Sequence, residues 1–241
     1  MVLDSNKNNY EQEKNPVDKQ AENNEKLENL KQLGNAAIPD GCDDIFTINI
    51  IGQVEGHNVL PPQTKATRYE HVIPQLIAAE QNPKVKGVLV VLNTVGGDVE
   101  AGLAISEMIN SLTKPTVSLV VGGSHSIGVP LAVCTDYSYI TPTATMIIHP
   151  IRMNGLVIGA PQTFEYFNKM QDRIISFITR NSNISKDKLY NLMMQTDELL
   201  NDVGTIIIGE KATELGIIKE VGGIGKALNK LRELIEEKKE V

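Results

Sequence analysis

VKGVLVVLNTVGGD, residues 85–98, is the stretch on which the architecture turns. From Val88 to Leu92 it is apolar at every position, so a strand there would have both faces covered, as in the parallel sheets of α/β proteins. Apolar, β-rich runs recur at residues 45–51, 116–121, 137–140 and 146–149. Between them the pattern turns helical, as at Leu103, Ile105, Met108, Ile109 and Leu112. Strands alternating with helices in this way predict an α/β protein with a covered, mostly parallel sheet.

Further out, Phe164, Phe167, Met170, Ile174, Phe177 and Ile178 recur every three or four residues, which predicts a long helix over 161–181 with Pro161 in its first turn. Leu228, Leu231, Leu234 and Ile235, set among charges, predict an amphipathic surface helix over 226–241. Residues 1–42 are rich in Asn, Lys, Glu and Gln and hold little that could build a core. They are expected to form a largely disordered polar leader ahead of a domain at 43–241. No internal repeat is found.

The bulk composition narrows the function. With 41% hydrophobic residues the chain can bury a sizeable core. A net charge of -7, no Trp and 4% aromatics argue against a nucleic-acid surface, which needs a basic face and stacking rings. Cys42 and Cys134 have no metal-ligand spacing and no disulfide framework, which fits reduced thiols in a reducing compartment. The amino terminus lacks a signal-peptide pattern, and no apolar run approaches the ~20 residues needed to span a bilayer. A cytoplasmic protein is expected.

Three places carry residues suited to chemistry, each at the end of a predicted strand. Asn93 to Asp98 offers paired glycines whose amides could face an oxyanion. Gly122-Gly123-Ser124-His125-Ser126-Ile127-Gly128 is a small-residue elbow that would present the Ser126 hydroxyl ahead of a helix. It departs from the G-x-S-x-G pattern because position 124 is serine. Met146-Ile147-Ile148-His149-Pro150 closes a strand with a histidine, and a serine nucleophile needs such a base. His57 and His71 lie in a Pro-containing stretch read as irregular, and His125, adjacent to the serine, would point away from it.

In order, Gly96-Gly97, a helix, a strand, Ser126-Ile127-Gly128 and Ile148-His149-Pro150 resemble the ClpP family of Clp proteolytic subunits. That family carries a Pro-Gly-Gly turn, an Ala-Ser-Met-Gly nucleophile segment and a Met-Ile-His-Gln-Pro base segment. The interval from Gly97 to Ser126 matches without a gap. Residues 209–218, from Gly209 through Ala212 and Gly216 to Ile218, look like its closing helix and strand. The resemblance covers roughly 44–223 and is nearest to the TepA-like (translocation-enhancing) branch.

The resemblance implies a ClpP/crotonase-like α/β fold of repeated ββα units with a protruding handle helix at 161–181. It implies a serine endopeptidase acting on peptides or unfolded proteins inside a homo-oligomeric ring, without metal or organic cofactor. Ser126 becomes the nucleophile, His149 the general base, and the amides of Gly97 and Ile127 the oxyanion donors. Residues 155–158 become a strand beside an extended substrate. An ungapped alignment puts Gly204 where the family has its acid. Asp202 takes that place if two residues are inserted, with Asp197 the poorer alternative. The insertion at 60–70 and the leader lie where the family meets its Clp-type ATPase, and so stand against that partnership. Two other classes compete: a crotonase-type acyl-CoA enzyme, with paired amides and a carboxylate base but no nucleophilic serine, and a non-catalytic ClpP-like scaffold. A serine–lysine peptidase, with its lysine on the 161–181 helix, is a further alternative.

Overall fold

The computed structural model describes residues 44–152, 159–196 and 203–239. Its elements run β1 (Ile45–Glu55), β2 (Ala66–Arg68), α1 (Tyr69–Gln81), β3 (Gly87–Gly97), α2 (Val99–Asn110), β4 (Thr116–His125), α3 (Gly128–Val133), β5 (Tyr137–Ile140) and β6 (Thr145–Ile148). After these come α4 (Ala160–Arg180), α5 (Lys186–Met193), β7 (Thr205–Ile208), α6 (Glu210–Glu214), β8 (Glu220–Val221) and α7 (Ile224–Lys239). The main path of the sheet is β2-β1-β3-β4-β5-β8, parallel throughout, and β6 pairs parallel with β4 and antiparallel with β7.

The long strands are each two segments. Register breaks between Gly52 and Gln53 in β1, and between Leu92 and Thr94 in β3. β4 changes neighbour along its length: Val117 to Val120 pair with β5, and Gly123 to His125 pair with β6. β5 and β6 repeat the same two segments as separate strands. Strand segment, strand segment, helix is the ββα unit that the resemblance implied, and the α/β class read from residues 85–98 holds.

Alternation along β3 shows why that run had to be apolar at every position. Val88, Val90 and Leu92 join the core formed with Leu76 of α1 and with Ile105 and Ile109 of α2. Leu89 points the other way, into a second cluster with Val117, Leu119, Leu231 and Ile235. The helix expected at 226–241 is therefore more than a surface element: α7 covers the second face of the sheet, burying Ala227, Leu231 and Ile235. Leu231 is fully buried, and Leu231→Ala is expected to cost about 3 kcal/mol. Thermal unfolding should show this as a fall of roughly 6–12 °C in Tm.

Two local expectations change. His71 lies within α1, not in irregular chain, and Pro74 sits inside that helix. The proline removes one amide donor, but burial of Val72, Leu76 and Ala79 carries the helix past it. α4 matches the helix expected at 161–181, yet it buries only Ile174, Ile175, Phe177 and Ile178. Its first half leaves Phe164 68% and Tyr166 52% exposed. Two ion pairs join its second half to α2, Arg173 with Glu100 at 2.5 Å and Arg180 with Glu107 at 2.8 Å. No helix among the described residues is long and apolar enough to cross a membrane.

Candidate active site

Both glycine pairs prove to be strand, and the elbow itself is confined to Ser126 and Ile127 ahead of α3. β3 continues to Gly97 and β4 to His125, past the ends at Leu92 and Val121 that apolar content predicted. Small and polar residues are accommodated because these second segments pair on both sides: Thr94 with Ser124, and Ser124 in turn with Met146. The same pairing brings the three sequence-predicted places together. β3, β4 and β6 are parallel neighbours, so their carboxyl ends lie side by side, adjacent strands being about 4.8 Å apart.

Ser126 follows β4 directly, and its N–H donates to the Ile147 carbonyl of β6 at 2.8 Å. Its φ is 56°, and among the described residues it is the one non-glycine with positive φ. A left-handed backbone costs an L-residue roughly 1–2 kcal/mol, so its surroundings must impose it. The Ser126 carbonyl accepts from the Val129 N–H at 3.0 Å, and the buried Ser124 hydroxyl donates to the Gly128 carbonyl at 2.6 Å. Gly96 of β3 makes the room this turn needs: a Cβ there would stand 2.6 Å from the His125 carbonyl oxygen and 2.8 Å from the Ser126 Cβ.

The Gly96-Gly97 pair is itself held by a residue the sequence reading missed. Thr94, 1% exposed, donates its hydroxyl to the Gly52 carbonyl at 2.6 Å and accepts the Gly96 N–H at 3.0 Å. A threonine near a glycine pair carries no distinctive spacing, so only the pairing across β1 reveals it. Gly97 is exposed, and Asp98 after it caps α2 by accepting the Ala101 N–H at 2.8 Å. Ile127 has a buried side chain and occupies the N-cap of α3. Its N–H precedes the first helical turn, outside the run of intrahelical hydrogen bonds.

His149 follows β6, and its Nδ1 lies 2.6 Å from the carbonyl oxygen of Pro150. A carbonyl only accepts, so the neutral ring carries its proton on Nδ1 and leaves Nε2 basic. Gly204, which the ungapped alignment offers for the acid, packs against this histidine. A Cβ there would be 2.8 Å from the His149 Cβ and 2.4 Å from the Ile148 carbonyl oxygen, at a φ of 138° that favours glycine. Position 204 has no room for a carboxylate. Asp202, Asp197 and residues 155–158 lie outside the described residues.

His125 and His57 are engaged elsewhere. His125 Nε2 meets the Thr145 hydroxyl at 2.8 Å, and burial, with His149 as the lesser cause, holds the ring below the ordinary histidine range. His57 Nδ1 and the Tyr69 hydroxyl are hydrogen-bonded at 2.9 Å. Cys134 is buried and burial pushes its thiol up, which unsuits it as a nucleophile. A strained serine, an imidazole with a basic Nε2 on the neighbouring strand end, and amides at Gly97 and Ile127 are the components of acyl transfer.

Comparison with known proteins follows the same residues. The Clp protease family model matches residues 47–224. The chain is 58% identical over 211 residues, 87% of its own length and 82% of the relative's, to translocation-enhancing protein TepA of Halalkalibacterium halodurans. It is 27% identical over 141 residues, 54% of the chain and 70% of the relative, to the ATP-dependent Clp protease proteolytic subunit of Leuconostoc citreum. With ATP-dependent Clp protease proteolytic subunit 1 of Protochlamydia amoebophila it shares 31% identity over 96 residues, 39% of the chain and 47% of that relative.

Proposed function

The chain belongs to the Clp protease family, and on that premise we propose that it is a serine endopeptidase cleaving peptides or unfolded proteins through an acyl-enzyme at Ser126. Ser126 Oγ attacks the scissile carbonyl carbon while His149 Nε2 takes its proton. The Gly97 and Ile127 N–H groups receive the oxyanion. As the tetrahedral species collapses, the imidazolium returns the proton to the leaving amine. Water, activated by the same nitrogen, then releases the acyl group and restores the serine. Asp202 is assigned as the triad carboxylate, with Asp197 as its alternative; it would share or take over from the Pro150 carbonyl the proton on His149 Nδ1.

The observation that carries this reading is the left-handed backbone of Ser126, bonded to the strand that ends in His149. Backbone strain of this kind persists where the fold over-determines it, and it concentrates at functional sites. The catalytic chamber would form within a ring of copies in the cytoplasm. The exposed Phe164 and Tyr166 of α4 supply apolar surface for packing ring on ring. Peptide substrates and further copies of the chain are the proposed partners, with a Clp-type ATPase outside the core assignment. The name of the TepA relative favours a second reading, a scaffold in protein translocation that does not cleave.

Intact mass after incubation with a fluorophosphonate separates the two. Wild type should gain one adduct and Ser126→Ala none. Assembled wild type without an adduct overturns the peptidase reading and leaves the scaffold.

A further inference from the structure

His125 is the residue ahead of the nucleophile, and its ring has a seat made for it. It leans back along β4 over Gly123, where a Cβ would come within 3.0 Å of the ring's Nε2. That nitrogen meets the hydroxyl of Thr145 at 2.8 Å, and Thr145 is the register partner of Gly123 on β6. A Cβ at position 123 would press on the ring and displace it by a few tenths of an ångström. A hydroxyl-free side chain at 145 would leave it without this partner.

The bridge spans a weak joint. β4 and β6 pair only through Gly123–Thr145, Ser124–Met146 and His125–Ile147, and the two strands end in the proposed nucleophile and the proposed base. Three residue pairs must resist the strain at Ser126 while holding it in register with His149. We infer that His125 is a positioning residue: through Thr145 it straps the nucleophile elbow to the strand that carries the base, with Gly123 as the seat. This role rests on the acyl-enzyme reading at Ser126 and adds to it the device that sets the geometry of the pair.

The strap also bears on the charge of the site. Gly123, Thr145 and Ile147 around the ring are uncharged, and among the described residues the ionisable group acting on it is His149. A neutral His125 lets His149 become imidazolium as it takes the serine proton. A protonated His125 opposes that step by like-charge repulsion. Because its own ionisation is held below the ordinary range, His125 stays neutral at neutral pH, and its opposition enters only on the acid side.

The test is the rate of fluorophosphonate labelling at Ser126 across pH 5 to 9 for wild type, Thr145→Val, Thr145→Ser, His125→Phe, His125→Gln and the double variant Thr145→Val/His125→Phe. Misplacing reacting groups by about 1 Å costs roughly 100-fold, so Thr145→Val and His125→Phe should each slow labelling by about 10- to 100-fold. The double variant should be no slower than His125→Phe alone, since both changes cut one strap. Thr145→Ser should restore the rate. His125→Gln, with a hydrogen-bonding tip and no titratable ring, should reduce the acid limb to a single ionisation. Labelled wild type with an indifferent Thr145→Val, or fully additive losses in the double variant, removes the strap and leaves the peptidase reading intact. Wild type that takes no label removes that reading and this role together.

Discussion

Replacing His149 by alanine is expected to slow peptide hydrolysis by on the order of 10⁶-fold, the scale seen when a serine peptidase loses its base. Two of the other histidines among the described residues are engaged elsewhere: His125 Nε2 meets the Thr145 hydroxyl at 2.8 Å, and His57 is bonded to Tyr69. What survives should be the contribution of the Gly97 and Ile127 amides, roughly 10³- to 10⁴-fold over water. The informative measurement is labelling and peptide turnover on folded His149→Ala, with circular dichroism to show that β6 still pairs. A loss of only a few-fold would mean that another group deprotonates Ser126. The lysine of a serine–lysine arrangement would then have to be sought on α4.

Gly97→Ala is expected to fail earlier, at the level of the sheet. The added Cβ would lie 2.2 Å from the Val54 carbonyl oxygen and 2.8 Å from the Val54 nitrogen. Both are backbone atoms of the adjacent strand, so no rotamer relieves the contact. The φ of 152° adds strain of its own. Either β1 and β3 move apart at their second segments, or the peptide at 97 turns over. We expect a loss of about 3 kcal/mol or more, read as a fall in Tm of at least roughly 6 °C, together with loss of labelling because the same amide is assigned to the oxyanion. A variant that keeps wild-type Tm but loses labelling would confine the glycine's role to the amide's direction.

The sheet was legible where side chains do one job. Val88 to Leu92 are buried from both sides, and consecutive apolar residues report that directly. It was less legible beyond Leu92 and Val121, because Asn93, Thr94, Gly122 and Gly123 continue as strand through neighbours that are distant in sequence. Thr94 is held by Gly52, and the Gly123 N–H donates to Asn93 Oδ1 at 3.0 Å. α1 was hidden for the opposite reason: Pro74 reads as a breaker, and only the burial of Leu76 and its neighbours overrides it.

At the site, the order of Gly97, Ser126 and His149 could be read along the chain, since parallel strands deliver their ends to one edge. The geometry that distinguishes an elbow from a plain turn could not. Ser126 is left-handed where its N–H is bonded to Ile147 and Gly96 leaves room for its side chain, and no local pattern encodes either contact. The alignment of Gly204 with the family's acid illustrates the same limit: an ungapped count lands there, but the space behind it is filled by His149 itself.

The two ion pairs between α2 and α4 have a mechanical consequence. Glu100 and Glu107 are spaced like Arg173 and Arg180, two helical turns apart on each side. Sliding α4 by a single turn, about 5.4 Å, sets one arginine midway between the carboxylates and carries the other a turn beyond them, so neither faces its partner. Both pairs are then made together or lost together, which works as a detent. The buried end of α4 is indexed to one position on α2, so any excursion of its exposed aromatic end has to be a swing about that fixed point.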